Sequence, residues 1–136
     1  MYSINTVKKA VELELPSTAI DGTSKKTRFV TEVADGLPID NVTAHHARAE
    51  SWRDGKPFDL VLSKAVGPLQ RIIEFSQPHL APGGRIVAFK TPSIDKDEVT
   101  KGESAARGFG LVHKDVFTYE LRLGDETLRR SLRIFR

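Results

Sequence analysis

Phe58-Asp59-Leu60-Val61-Leu62-Ser63-Lys64-Ala65-Val66 opens with an almost continuous apolar run, which reads as a strand from Phe58 to Ser63. Downstream, Pro68 to Ser76 spaces Leu69, Ile72 and Ile73 for one helical face, and Pro82-Gly83-Gly84 reads as a turn into a strand from Arg85 to Lys90. Ser93 or Asp95 caps a further helix that runs to about Arg107 and ends at Gly108 and Gly110. Two last strands, Leu111 to Leu121 and Leu128 to Phe135, flank Gly124-Asp125 at a length suited to a hairpin. Upstream, Asn41 to Ala47 reads as a strand, and Lys25 to about Ala34 as a helix with Phe29, Val30, Val33 and Leu37 on one apolar stripe. That helix is entered through Asp21-Gly22-Thr23-Ser24 from a short strand, Thr18-Ala19-Ile20. Thr6 to Leu15 fits a helix with Asn5 or Thr6 as N-cap and Pro16 as its stop, although Val11-Glu12-Leu13-Glu14-Leu15 also alternates as a strand does. Strands alternating with helices, then a terminal antiparallel hairpin, imply an α/β sandwich on a mostly parallel sheet. No repeat, low-complexity tract or linker interrupts this order, so one domain over residues 1–136 is expected.

The 136 residues suffice for a single domain with a real core. The chain has no cysteine, which excludes disulfides, thiolate zinc sites and cysteine nucleophiles. No apolar run approaches the roughly 18 residues needed to cross a bilayer. Met1 to Lys9 also lacks the basic-then-apolar order of a signal peptide, so a cytoplasmic location without a membrane partner is expected. The formal net charge is +3, from 21 basic and 18 acidic side chains, and the pI is near 9.3. Lys25, Lys26 and Arg28 cluster at one helix start, and Arg129, Arg130, Arg133 and Arg136 crowd the last eight residues. Such clusters suit a nucleic-acid partner and equally suit a solvated surface.

Three blocks stand in order: Arg48-Ala49-Glu50, then Phe58 to Val66, then Pro82-Gly83-Gly84-Arg85 leading into Ile86-Val87-Ala88-Phe89-Lys90. Preceded by a strand ending at Asp21 and the helix start Ser24-Lys25-Lys26-Thr27-Arg28-Phe29, they resemble the bacterial 16S ribosomal RNA guanine-N7 methyltransferase family, also called glucose-inhibited division protein B. The resemblance covers roughly residues 13 to 92. It implies a Rossmann-like methyltransferase fold and transfer of a methyl group from S-adenosylmethionine (S-adenosyl-L-methionine) to N7 of guanine 527 in 16S rRNA. The implied partner is that RNA or the small ribosomal subunit.

In an open parallel sheet, ligands gather at the carboxyl ends of the strands. Asp21 holds such a position and can accept hydrogen bonds from both ribose hydroxyls of a nucleotide cofactor; with Gly22 next to it, it also suits a turn or cap aspartate. The resemblance sets Ala49 and Glu50 on the adenine side of S-adenosylmethionine, chiefly through backbone groups. Lys64 stands where the family carries arginine in a Ser-Arg-Ala block, on the cofactor and RNA side; it keeps the charge and loses the bidentate fork. Lys90 ends the next strand, where the family often has lysine, and a cation there suits an RNA phosphate or the solvated end of a strand. The expected cofactor-binding set is thus Asp21, Ala49, Glu50 and Lys64, and the expected RNA-binding set is Lys25, Lys26, Lys64 and Lys90. His45 and His46 adjoin and so point to opposite sheet faces, a poor arrangement for metal ligation, and no metal is expected. No Ser-His-Asp set or paired carboxylates stands out. For guanine N7, an in-plane lone pair without a proton, the chemistry calls for alignment and a suitable field rather than a general base.

The family's first strand and Gly-x-Gly loop, which hold the methionine part of the cofactor, belong before the helix at Thr6 to Leu15. Only Met1 to Asn5, without a glycine, stands there. The expected consequence is a sheet missing a central strand between those ending at Asp21 and Ser63, its two edges about twice the 4.8 Å strand spacing apart unless they close on each other. Three accounts fit: a fragment of a longer methyltransferase, a shortened protein whose sheet has closed up, or a dimer whose partners complete each other's sheet. A chain unable to bind the cofactor would serve instead as an RNA-binding or interaction module.

Overall fold

Described by a computed structural model, residues 14–37, 39–53 and 55–136 fall into two compact units that divide between Asp54 and Gly55. The helix expected over Thr6 to Leu15 lies outside the described residues except for Glu14 and Leu15, which are not helical. Glu14 sits in a turn with φ of 53°. The Leu15 carbonyl accepts from Ser17 Oγ and Asn41 Nδ2, both at 3.0 Å, and so anchors the entry to the first strand.

The first unit contains strand β1 (Ser17–Asp21), helix α1 (Ser24–Gly36) and strand β2 (Val42–His46). β1 and β2 pair in parallel, from Ser17 opposite Val42 to Asp21 opposite His46. α1 returns over them with Thr27 and Ala34 buried and Val30 and Val33 half-buried. The apolar stripe read from the sequence is rotated relative to this contact face: Phe29 and Leu37 remain 50% and 62% exposed. Helical periodicity identified the helix, but which of its rows meets the sheet was set by the small residues that allow close approach.

The second unit contains β3 (Phe58–Lys64), α2 (Leu69–Ser76), a single 3-10 turn (Gln77–His79), β4 (Leu80–Lys90), α3 (Lys96–Gly108), β5 (His113–Leu123) and β6 (Glu126–Phe135). The sheet order is β3-β4-β6-β5; β3 and β4 run parallel, and the other two pairings are antiparallel. Pro82-Gly83-Gly84, expected as a turn before a strand, lies inside β4 as a bulge, because the register passes from Phe58 opposite Leu80 to Leu60 opposite Arg85. Gly83 supplies the positive φ of 77° that this detour requires. The final hairpin turns tightly through Gly124 and Asp125, with Leu123 opposite Glu126 and Gly124 at φ of 62°. Among the described residues β1 pairs only with β2, and β3 only with β4.

One face of the four-stranded sheet carries the core. Ile86, Ala88, Phe135, Ser63 and Ser131 are buried there with Leu69, Ile72 and Ile73 of α2 and Ala106 of α3. α3 is tied to the hairpin by Glu103 and His113 Nδ1, 2.8 Å apart, and the His113 ring stacks on Phe135 at 4.8 Å. Leu60 and Phe117, whose strand positions point to the opposite face, are 46% and 55% exposed.

Candidate functional site

In the first unit, the carboxyl ends of both parallel strands feed connections that meet. Asp21 closes β1, and its carboxylate folds back on the next turn: Thr23 N–H donates to Oδ1 at 2.8 Å, and Lys26 Nζ lies 3.5 Å from Oδ2. Beyond β2, Ala47 N–H donates to the Asp21 carbonyl, and the chain wraps into a turn in which the Ser51 and Trp52 amides both donate to the Arg48 carbonyl. That turn holds Arg48-Ala49-Glu50. The two connections touch, because a Cβ placed on Gly22 would lie only 3.6 Å from Arg48 Cγ, and His46 Nε2 lies 3.2 Å from the Gly22 carbonyl. The structure thus brings Asp21 and the Ala49-Glu50 turn to one end of one sheet, as the strand order requires.

α1 begins beside this place. Its N-cap, Thr23, makes no side-chain cap hydrogen bond, and the first turn has no acidic residue but two lysines, Lys25 and Lys26. Positive charge at a helix N-terminus opposes the macrodipole; the Asp21 carboxylate, 3.5 Å from Lys26 Nζ, offsets that lysine, while Lys25 adds to the field of the orphan N–H groups. Such an end suits an anion.

In the second unit, Lys64 ends β3 with an exposed side chain, opposite Phe89 and thus at the same end of the sheet as Lys90. The chain leaves Lys64 through Ala65 at φ of 55° and Gly67 at φ of 145°. Both lie in the region where a side chain is strained, and Ala65 has one. Lys90 turns inward to this connection: its Nζ donates to the Gly67 carbonyl and to Glu98 Oε1, each at 2.6 Å. Glu98 Oε1 also accepts the Leu69 N–H at 3.0 Å, the first amide of α2.

Glu98 had no place in the sequence-based site. It stands three residues after Asp95, which caps α3 by accepting from the Asp97 and Glu98 amides, and a glutamate so placed reads as half of a capping box. Only the packing of α3 beside α2 shows that its carboxylate reaches to another helix. The adjoining His45 and His46 have separate local roles, His45 beside the Trp52 ring at 5.9 Å and His46 against Gly22. Among the described residues no group of three potential metal ligands converges.

A family model described as rRNA small subunit methyltransferase G (GidB) matches residues 7–122. The ribosomal RNA small subunit methyltransferase G of Carboxydothermus hydrogenoformans is 37% identical over 106 residues, spanning 75% of this chain and 45% of that protein. Its counterpart in Clostridium kluyveri is 30% identical over 118 residues, spanning 82% of this chain and 48% of that protein. The chain therefore spans about half the length of the curated relatives it matches. Among solved structures, a methyltransferase from Pyrococcus furiosus aligns with 97% of this chain and 68% of its own at a TM-score of 0.70 and 14% identity. The N-methyltransferase NodS of Bradyrhizobium japonicum in complex with S-adenosyl-L-homocysteine aligns with 88% of this chain and 65% of its own at a TM-score of 0.57 and 18% identity. These likenesses show a Rossmann-like methyltransferase fold.

Proposed function

We propose, from the premise that this chain belongs to the rRNA small subunit methyltransferase G family, that it serves S-adenosylmethionine-dependent methylation of N7 of guanine 527 in 16S rRNA. The observation that carries this reading is the meeting of Asp21 with the Arg48-Ala49-Glu50 turn at the carboxyl end of β1 and β2. A carboxylate offers about four acceptor positions. At Asp21 the Thr23 amide and the Lys26 ammonium engage one oxygen each, so acceptor capacity is left on both oxygens for a ribose diol. Ala49 has a side chain too small to shield the backbone of its turn, which suits contact with an adenine edge through main-chain groups. The residues present therefore fit the ribose and adenine half of the cofactor.

When bound, S-adenosylmethionine supplies an electrophilic methyl group on a sulfonium centre. The protein's part is positional and electrostatic: Lys25 and Lys26 in the first unit, and Lys64 in the second, would each offer a cation to a phosphate of the RNA backbone, while methyl transfer to N7 calls for alignment of the base. Because N7 bears no proton, none of these residues has to accept one. The same reading puts the chain in the cytoplasm with the small ribosomal subunit as its partner, and no helix among the described residues is long and apolar enough to cross a membrane.

The test is incorporation of radiolabelled methyl groups into 16S rRNA that lacks this modification. The chain is assayed alone and in a form extended upstream with a Gly-rich strand and loop. Methylation in the extended form that disappears with Asp21→Ala is the expected result. A second reading, an RNA-binding module without methyl transfer, is favoured by a first turn of α1 that carries Lys25 and Lys26 and no acidic residue. Salt-sensitive RNA binding without methylation in either form would select it.

A further inference from the structure

We propose that Lys90 and Glu98 are positioning residues, which together hold the connection that presents Lys64. This rests on the reading that Lys64 faces cofactor and RNA. Three observations carry it. The connection from Lys64 to α2 holds Ala65 at φ of 55°, which is unfavourable for a residue with a side chain and persists only where the surroundings enforce it, and passes through Gly67 at φ of 145°, which glycine adopts freely. α2 begins at Leu69 after Pro68, which has no side-chain oxygen with which to cap the helix. Glu98 supplies the missing acceptor from α3, at 3.0 Å from Leu69 N, and Lys90 ties the same carboxylate to the Gly67 carbonyl through two 2.6 Å contacts.

Both side chains are largely sheltered, at 16% exposure for Lys90 and 26% for Glu98. Charge-assisted bonds in that setting are stronger than those between neutral groups. The ammonium is directed into the protein, on the same sheet face as Ile86 and Ala88, so its contacts fix the two residues on either side of Pro68. Lys64 would then meet the ligand, while Lys90 keeps the strand-to-helix connection in the shape that aims Lys64.

The experiment combines amide hydrogen exchange with RNA binding, using the full chain. In the wild type the Leu69 amide should be protected. Lys90→Met and Glu98→Ala should each speed its exchange about tenfold or more relative to Ile73 in the same helix. Lys90→Met should also weaken binding of a 16S rRNA fragment, while the slope of log affinity against log salt stays unchanged, because no phosphate contact is lost. The double variant Lys90→Met/Glu98→Leu replaces both charges by apolar groups of similar size and should recover thermal stability. If the pair merely docks α3, that variant will also recover RNA affinity; if it positions the connection, affinity and Leu69 protection will stay low. A salt slope lowered by about 0.7–0.9 in Lys90→Met would make Lys90 a phosphate ligand and overturn the proposal. Unchanged Leu69 exchange in both single variants would overturn it as well. Should the wild type bind no RNA, the RNA reading fails on its own, and the exchange measurement still decides whether the pair holds the connection.

Discussion

A Cβ at Gly102 would stand 2.6 Å from the Cβ of Leu69, closer than packed side chains come. Gly102 is the point at which α3 lies down on α2, and it brings Glu98, one turn earlier, within reach of the Leu69 amide. Alanine normally favours a helix over glycine by up to about 1 kcal/mol. Here the steric term is expected to win, so that Gly102→Ala lowers stability by about 1–3 kcal/mol in urea unfolding. Leu69→Ala keeps the Cβ that makes the closest contact, so adding it should not relieve that loss. A higher urea midpoint for Gly102→Ala would show that the helices have room to separate.

The sheet of the second unit is asymmetric, and two of its aliphatic residues report this. Ile86 is fully buried, and Ile86→Ala is expected to cost about 2–5 kcal/mol. Leu60 points to the other face and is 46% exposed, so Leu60→Ala should cost less than about 1 kcal/mol. Equal losses in chemical denaturation would mean that the Leu60 face is covered in solution.

Lys25 is expected to have opposite effects on stability and on binding. Its charge in the first turn of α1 opposes the helix dipole, and Lys25→Gln should therefore leave the melting temperature unchanged or slightly raised. Affinity for a 16S rRNA fragment should fall, and the salt slope should shrink by about 0.7–0.9 if one phosphate contact is lost. A variant that loses stability and keeps its RNA affinity would remove Lys25 from the RNA-facing set.

Asp21 and His45 lie near the same sheet end in the first unit and differ in what they offer a ribose. In a form that binds S-adenosylmethionine, Asp21→Ala should weaken binding by about 1–3 kcal/mol through lost charge-assisted hydrogen bonds. His45→Ala, which removes the contact with the Trp52 ring and no carboxylate, should be near neutral. Calorimetric titration after a thermal-melt check of both variants distinguishes them; equal effects would reduce Asp21 to a turn residue.

The sequence by itself determined the order of elements from β1 onward and the family, because both are local. Apolar alternation, Gly-Asp at the hairpin and the Asp95 cap act over a few residues, and the blocks Arg48-Ala49-Glu50, Phe58 to Val66 and Pro82 to Lys90 keep their spacing along the chain. The strand ends that carry Asp21 and Lys64 were legible for the same reason. Tertiary structure alone decided which row of α1 meets its sheet, since close approach favours Thr27 and Ala34 over the larger Phe29 and Leu37. It also decided that Pro82-Gly83-Gly84 is a bulge, because a bulge exists only against a partner strand, here β3. The bond from Glu98 to Leu69 spans 29 residues of sequence. Its acceptor could not be identified until α3 was packed against α2, for a carboxylate's hydrogen bonds are set by what surrounds it in space and not by its neighbours along the chain.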